Sequence, residues 1–400
     1  MRRVYLDNNA TTPVAPEVFE AMKSHYLEDY GNASSIHWYG QRARAAVETA
    51  REHVARLINA RPSEIVFTSG GTESDNAAIV GIVEAARAES KHIVTTAIEH
   101  HAVLHTTKAL EKRGVKVTFV RVGSDGIVDP ADIERAIRPE TVLISVMHAN
   151  NELGTIQPLE EIGRIARERD IYFHTDAVQS VGKIPVDVEK LGVDLLSLSA
   201  HKLHGPKGVG ALYVRKGTIL RPLLYGGHSE RDRRPGTENV AGIVGLGMAA
   251  ELAREPLAGE AARVAALRAR LEDGILEHVP LVTVNGDRER RLPTTSSLSF
   301  AHIEGEGFVI AMDLRGVACS TGAACSSGSV EPSHVLSAIG RTAEQARSSI
   351  RFSLGRFTTA EDISTALEII PAVAERLRSV SPHYRKDSVS HQLSAVSKNP

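Results

Sequence analysis

The chain has 400 residues, 42% of them apolar, and a formal net charge of −2 with acids and bases interspersed. That length exceeds one minimal core and suits a two-domain enzyme, while the apolar fraction excludes disordered and fibrous classes. No Lys/Arg-rich block stands out, so neither nucleic acid nor an anionic membrane is an expected partner. No segment is apolar for long enough to span a bilayer, and MRRVYLDNNATTP at the start has two arginines but no apolar stretch of a secretory signal. Cys319 and Cys325 are the only cysteines. Two thiols make no disulfide framework, so a reducing, cytoplasmic setting is expected, where free thiols are either buried and inert or chemically used.

Along the chain, short apolar runs alternate with amphipathic stretches. EIVFTS precedes the Ala-rich DNAAIVGIVEAARAE, HIVTT precedes HAVLHTTKALEKRG, and VKVTFVRV follows. Then come TVLISVMHANN, the helical LEEIGRIARERD, IYFHTDA and DLLSLSAHK. β-branched runs separated by helical patterns predict βαβ units and a mostly parallel sheet. The pattern near GPKGVGALYVRKG predicts an antiparallel addition to it. From about Thr237 a long helical stretch runs through LGMAAELARE and EAARVAALRARLEDGILEHV. The texture then becomes α+β, with LVTVNG, TSSLSF, a helix near GEGFVIAMDLRG, SIRFSL and the amphipathic AEDISTALEIIPAVAERLRSV. Residues 15–255 are expected to form a large α/β domain, and residues 1–14 with 256–380 a smaller one. Residues 381–400, polar and aperiodic, read as a flexible tail.

Open α/β sheets place ligands beyond the carboxyl ends of their strands, and the unusual residues fall there. SGGTESDN follows the strand EIVFT and opens a helix. Gly70 and Gly71 allow close backbone approach, and free N–H groups at the helix start favour a phosphate. Thr72 with Asp75 in a capping box is the plainer alternative. Asp176 closes a very apolar strand, where a carboxylate needs a cation beside it, such as a protonated ring nitrogen, or else caps the next helix. Lys202, flanked by Ser199 and His201, sits where a lysine of depressed pKa could hold an aldehyde as a Schiff base. Its rival Lys207 lies in the turn Gly-Pro-Lys-Gly.

His100, His101 and His105 offer either a metal cluster, a flat ring over a cofactor, or a surface helix; no partner Cys or carboxylate pair supports the metal. Asn150 and Asn151 follow another strand and could reach a ring substituent or substrate. Cys325 lies within GVACSTGAACSSGSVEPSHV, whose glycines and serines predict a mobile loop carrying a used thiol. Cys319, beside the apolar GVA, reads as a packed thiol. Arg351 in SSIRFSL needs a planar anion, either a substrate carboxylate or an interior acid.

Together, YLDNNATT, GGTESDN, HTDAVQ, SAHKLHGPKGVG, RPGTEN and ACSSGSVEPSHV resemble, in order and spacing, the NifS-type cysteine desulfurases of the class-V aminotransferase family. The resemblance implies a fold type I, pyridoxal-phosphate-dependent architecture. A mostly parallel seven-stranded sheet flanked by helices would form the large domain, with a smaller α+β domain carrying the cysteine loop. It implies that Lys202 binds the cofactor covalently and moves substrate protons, Asp176 holds the pyridine nitrogen, and Gln179 and Asn151 lie by the ring hydroxyl. His100 would stack on the ring and serve catalysis. Gly71, Thr72, Ser199 and His201 would hold the phosphate, with Thr237 reaching in from the other subunit of a homodimer. Arg351 and Asn151 would bind the substrate. Cys325 would take the sulfur of L-cysteine as a persulfide, leave alanine, and pass the sulfur to an iron–sulfur scaffold protein, with cluster iron as cargo touching Cys325 during transfer. The loop reads TGAACSSG where relatives often carry SGSACTSG, and the chain lacks the WAHH-like ending of many housekeeping relatives, which points toward nitrogenase maturation. A selenocysteine lyase, or another aminotransferase-family enzyme on the same frame, is the alternative.

Overall fold

The computed structural model describes residues 2–255, 257–321 and 332–381. Its centre is a seven-stranded sheet in the order Ile65–Thr68, Gly210–Val214, Leu195–Ser199, Tyr172–Asp176, Thr141–Ser145, His92–Thr96, Lys116–Val120. Gly210–Val214 runs antiparallel to both neighbours, and the remaining pairings are parallel. The short, largely apolar runs fix this: His92–Thr96 and Leu195–Ser199 are buried on both faces, as strands covered by crossover helices must be. Because six strands share one direction, the ends of Ile65–Thr68, His92–Thr96, Thr141–Ser145, Tyr172–Asp176 and Leu195–Ser199 open onto one edge. That edge carries Gly70, His100, Asn151, Asp176 and Lys202.

One face of the sheet packs on helices Pro16–Leu27, Trp38–Leu57 and Val240–Arg254 through Val18, Val47, Ile243 and Leu246. The last two helices cross at close range. A side chain at Gly247 would stand 2.5 Å from the Cα of Ala50, so glycine sets the interhelical distance there.

A second core forms around the antiparallel sheet Ser349–Ser353, Thr295–Phe300, Val282–Val284. Helices Leu257–His278, Gly305–Asp313 and Ala360–Val380 cover it, and Phe300, Phe308, Phe352, Leu271 and Cys319 fill it. The chain's first residues join this core: Val4–Tyr5 pairs in parallel with Val317–Ala318, and Leu6 is wholly buried. The segment that follows, Asp7 to Thr12, therefore runs from the second core to the edge of the large sheet. Among the described residues no helix is long and apolar enough to cross a membrane.

Candidate active site

Lys202 ends a short 3-10 turn, Ala200–Lys202, directly after the strand Leu195–Ser199. Its Nζ donates to the backbone carbonyls of Asn9, at 2.5 Å, and Ala10, at 2.7 Å. Asp176, at the end of the adjacent strand, is 5% exposed, and its Oδ1 accepts from the N–H of Val178 at 2.9 Å. Burial pushes its pKa up to about 6, against the pull of Lys202. No helix begins there, only turns, so the helix-capping alternative for Asp176 falls away. Ligand atoms of Asp75, His100 and Asp176 lie within 4.8 Å of one another. Burial, and then Asp176 itself, drive the Asp75 carboxyl well above the usual range. Two acids this close do not both ionise, so Asp176 keeps the charge and Asp75 the proton.

His100 caps the helix His101–Glu111 by accepting from the N–H of Ala102 through Nδ1, at 3.1 Å. Burial holds its pKa down at about 4, with Lys202 adding to the effect, so the ring is neutral and flat beside Asp176. The rings of His101 and His105 lie 4.9 Å apart, but among the described residues no three histidines bring their ligand atoms together, which removes the histidine-cluster alternative.

The glycine pair is dictated sterically. Gly70 has φ +153°, and a side chain at Gly71 would stand 2.6 Å from Val178 Cγ2. Gly70 is the N-cap of helix Gly71–Ala85, so the expected Thr72–Asp75 capping box does not form. Thr72 is exposed, and Asp75 turns inward, its Oδ1 3.5 Å from His174 Nε2. Glu73 takes up the turn instead, accepting from the N–H of Ser69 and pairing with Arg234 at 2.9 Å. Ser199 is buried beside Gly70, and His201 meets Thr11 Oγ1 at 3.1 Å with its pKa held near 4 by burial.

Gln179 donates to the carbonyl of Asn9 at 3.0 Å. Asn150 is spent on the turn itself, donating to Ile98 and accepting from the N–H groups of Glu152 and Leu153, whereas Asn151 stays partly exposed. Arg351 is 3% exposed; Nη2 pairs with Asp7 Oδ1 at 2.9 Å and Nη1 donates to the carbonyl of Asn151 at 2.9 Å. The interior acid weighed for this arginine is thus Asp7. Thr237 is not brought to Lys202: it is exposed, in a separate cleft with Asn32, Ser34 and Arg51. Lys207 is exposed in its turn. Cys325 lies outside the described residues. Cys319 is buried in the second core, and burial pushes its thiol far up, away from the reactive thiolate.

Sequence reasoning assigned no part to Asn9, Lys183 or Glu99. Asn9 is 1% exposed and its backbone carbonyl receives both Lys202 and Gln179. The polar run Asp7-Asn8-Asn9 between an apolar strand and ATTP was the available signal.

The chain matches the Aminotransferase class-V family over residues 4–365. A cysteine desulfurase IscS of Dictyoglomus turgidum is 53% identical over 382 residues, covering 96% of this chain and 97% of the relative. One of Methanosarcina thermophila is 51% identical over 381 residues, covering 95% and 94%. The chain belongs to the class-V aminotransferase family. Among solved structures, a NifS-like protein superimposes with TM-score 0.88 at 42% identity, covering 94% of this chain and all of that one. The structure described as SspA in complex with cysteine reaches 0.80 at 40%, covering 89% and all of that chain.

Class-V aminotransferases of this branch use pyridoxal phosphate, and the residues fit it. A buried carboxylate at a strand end suits a protonated ring nitrogen, a glycine-lined helix start beside Ser199 suits a phosphate, and Lys202 suits an aldehyde.

Glu99 carries a measurable consequence of this burial. It is fully buried, accepts from Thr96 Oγ1 at 2.7 Å and the N–H of Met147 at 3.0 Å through Oε1, and burial raises its pKa to about 8. A carboxyl whose folded pKa is raised costs stability as pH climbs from its unfolded value, near 4.3, through 8, because the unfolded chain gives up the proton first. Glu99→Gln keeps the shape and never ionises. Relative to the parent protein, it gains about 1 kcal/mol or more between pH 5.5 and 8.5 in denaturant unfolding. A pH-independent difference would show that Glu99 is ionised in the fold.

Proposed function

We propose that this chain is a pyridoxal-phosphate-dependent cysteine desulfurase that takes the sulfur of L-cysteine onto Cys325. The observation that carries the reading is Lys202 beside the buried carboxylate of Asp176, at adjacent strand ends facing a glycine-lined helix start. The curated relatives named cysteine desulfurase, aligned over nearly their full length, supply the substrate.

Pyridoxal phosphate, when bound, withdraws electrons from the amino acid and weakens its Cβ–S bond. The protein's residues do the rest. Gly71, Thr72, Ser199 and His201 hold the phosphate, and Asp176 keeps the ring nitrogen protonated. His100 covers the ring, and Gln179 and Asn151 face its hydroxyl. Arg351, with Asn151, receives the carboxylate of cysteine, and Lys202 moves protons at the substrate carbon. Cys325, as thiolate, attacks the substrate sulfur: the S–S bond forms as the Cβ–S bond breaks, the electron pair leaves with carbon, and protonation gives alanine. The persulfide then passes to an iron–sulfur scaffold protein in the cytoplasm, with nitrogenase maturation as one outlet. Residues 15–255 act as the cofactor-binding domain, and residues 1–14 with 256–380 as the domain that carries the cysteine loop.

A homodimer belongs to this reading. Tyr26, Tyr30, Ile36 and Trp38 are exposed within one short segment, Ile36 at 91%, with Tyr30 stacked on Tyr39 at 5.4 Å, and Tyr225 is exposed as well. So much apolar surface suits a twofold interface. The Thr237 cleft includes Asn32 and Ser34 from the same segment, so a second copy seated there would meet Thr237. Light scattering is expected to give twice the chain mass, and the Ile36→Asp, Trp38→Glu double variant a monomer with at least about tenfold weaker cofactor retention. A fully active monomer of the parent protein would remove the dimer from the proposal.

The activity itself is tested by loading the protein with pyridoxal phosphate, adding L-cysteine, and measuring alanine and sulfide in the presence of a thiol reductant. Equal yields support the reading. Turnover of L-selenocysteine alone would replace it with a lyase.

A further inference from the structure

A second lysine sits behind the first. The chain after Asp176 doubles back through turns, with the N–H groups of Lys183 and Ile184 both bonding to the carbonyl of Ser180. Gly182 makes this possible with φ +77°. The turn sends Lys183 inward, where Nζ donates to Oε1 of Gln179 at 2.8 Å and reaches Oδ1 of Asn9 at 3.4 Å. Gln179 in turn donates through Nε2 to the carbonyl of Asn9, the same oxygen that receives Lys202 at 2.5 Å. Asn9 passes the chain on, donating to the carbonyl of Asn151 at 3.1 Å, which also receives Arg351.

Lys183 is a costly residue in this place unless it has a use. Burial comes first, then Lys202 and Arg351, in lowering its pKa to about 7. His201 also faces it, and His204, Glu260 and Arg356 line a cavity that Lys183 and Lys202 share. The cavity gives the ammonium a route to exchange its proton, and His204 is itself held near 4 by burial. A surface lysine needs none of this.

We propose that Lys183 is a positioning residue of the active site: by donating to Gln179 Oε1 it fixes that amide with its N–H edge toward Asn9 and the site, and so holds the Asn9 carbonyl against Lys202. An amide has two distinguishable ends, and the ammonium on the oxygen reinforces the choice made by the Asn9 carbonyl at the other end. The inference rests on the cysteine desulfurase reading for its site, but it is tested without substrate. It adds a third cationic side chain, behind Lys202 and Arg351, to a network joined through the amides and carbonyls of Asn9, Gln179 and Asn151.

The experiment uses the full-length protein loaded with pyridoxal phosphate. Two quantities are read: the pH dependence of the bound cofactor's absorbance between pH 5.5 and 9, and its dissociation constant. The parent protein is expected to show a pH profile in which the Lys202 nitrogen bonded to the cofactor and Asp176 titrate alongside Lys183. Lys183→Met changes that profile and weakens cofactor binding by about tenfold, the usual size for one hydrogen bond to a charged group. Lys183→Arg keeps the donor and the charge, so binding stays within about threefold while the profile still departs from the parent's, because arginine does not titrate there. Gln179→Leu weakens binding to a similar degree, and the Lys183→Met, Gln179→Leu double variant is no worse than the single ones by more than about twofold, as groups acting in series require. Lys207→Met, in its exposed turn, serves as the control and changes neither quantity. The inference is overturned by a pH profile in Lys183→Met that matches the parent's, or by effects of Lys183→Met and Gln179→Leu that simply add. Should Lys183→Met fail to fold, the arginine variant decides through its departure from the parent's pH profile alone. A parent protein that binds the cofactor yet yields no sulfide from cysteine would instead sink the function, leaving the titration readable.

Discussion

Lys202→Ala abolishes sulfide release from L-cysteine, by roughly a thousandfold or more, while pyridoxal phosphate still binds without a covalent bond. Two separable losses lie behind that number. The chain loses the amine that holds the cofactor's aldehyde, and it loses the group that moves protons at the substrate carbon. General acid–base catalysis by a placed side chain is worth about a hundred to ten thousandfold, or up to about 5 kcal/mol of barrier. Binding survives because the other anchors are independent of Lys202: the helix start at Gly71, the buried Ser199 and the Asp176 carboxylate all belong to other positions on the sheet edge. The measurement is the absorbance of the loaded protein with and without borohydride. In the parent protein reduction fixes the cofactor to the chain, and in Lys202→Ala it does not. Lys207→Ala behaves as the parent does, since Lys207 points to water from its Gly-Pro-Lys-Gly turn. If the borohydride-fixed cofactor mapped to Lys207, the site described here would be misplaced.

The sheet was legible in the sequence because its signal is local. HIVTT announces a buried strand by β-branching with polarity confined to its ends, LLSLS by its leucines, and their carboxyl ends become the site edge. Lys202 and Asp176 stood out for the same reason, each a charged residue where an apolar run stops. The capping of helix Gly71–Ala85 was not legible. Thr72 and Asp75 have the spacing of a capping box, yet Asp75 finds a buried place by His174 and Asp176, and tertiary contacts outweigh a cap of about 1 kcal/mol. Arg351 showed as a buried arginine in need of an anion, but its partner Asp7 lies 344 positions away, brought in by the first strand joining the second core. Asn9, Lys183 and Glu99 stayed hidden because nothing in residue type or spacing marks a backbone carbonyl as a shared acceptor, a lysine as turned inward, or a glutamate as buried.

Cys325→Ser is expected to retain L-cysteine binding and to release no sulfide above background, a loss of at least about a thousandfold. Sulfur transfer needs a soft, ionisable nucleophile, and a serine oxygen ionises far above neutral pH and attacks sulfur poorly. Binding is untouched because Arg351 and Lys202 hold their partners through Asp7, Asn151 and Asn9, none of which involves the thiol. The other cysteine supplies the contrast within the same protein. Cys319 is 7% exposed, packed in the second core, with a thiol driven away from ionisation by burial, so at neutral pH it offers no thiolate to the substrate. Cys319→Ala therefore leaves sulfide release within about twofold and costs instead about 1–2 kcal/mol of stability, the price of a small cavity in a packed core. The two variants separate chemistry from packing: one loses turnover at unchanged melting temperature, the other loses a few degrees at unchanged turnover. Labelling with radioactive sulfur from cysteine completes the comparison. A dithiothreitol-labile label is expected on the peptide holding Cys325 in the parent protein and in Cys319→Ala, and absent in Cys325→Ser. A label on Cys319, or near-normal sulfide from Cys325→Ser, would move the sulfur acceptor elsewhere and end the mechanism proposed for this chain.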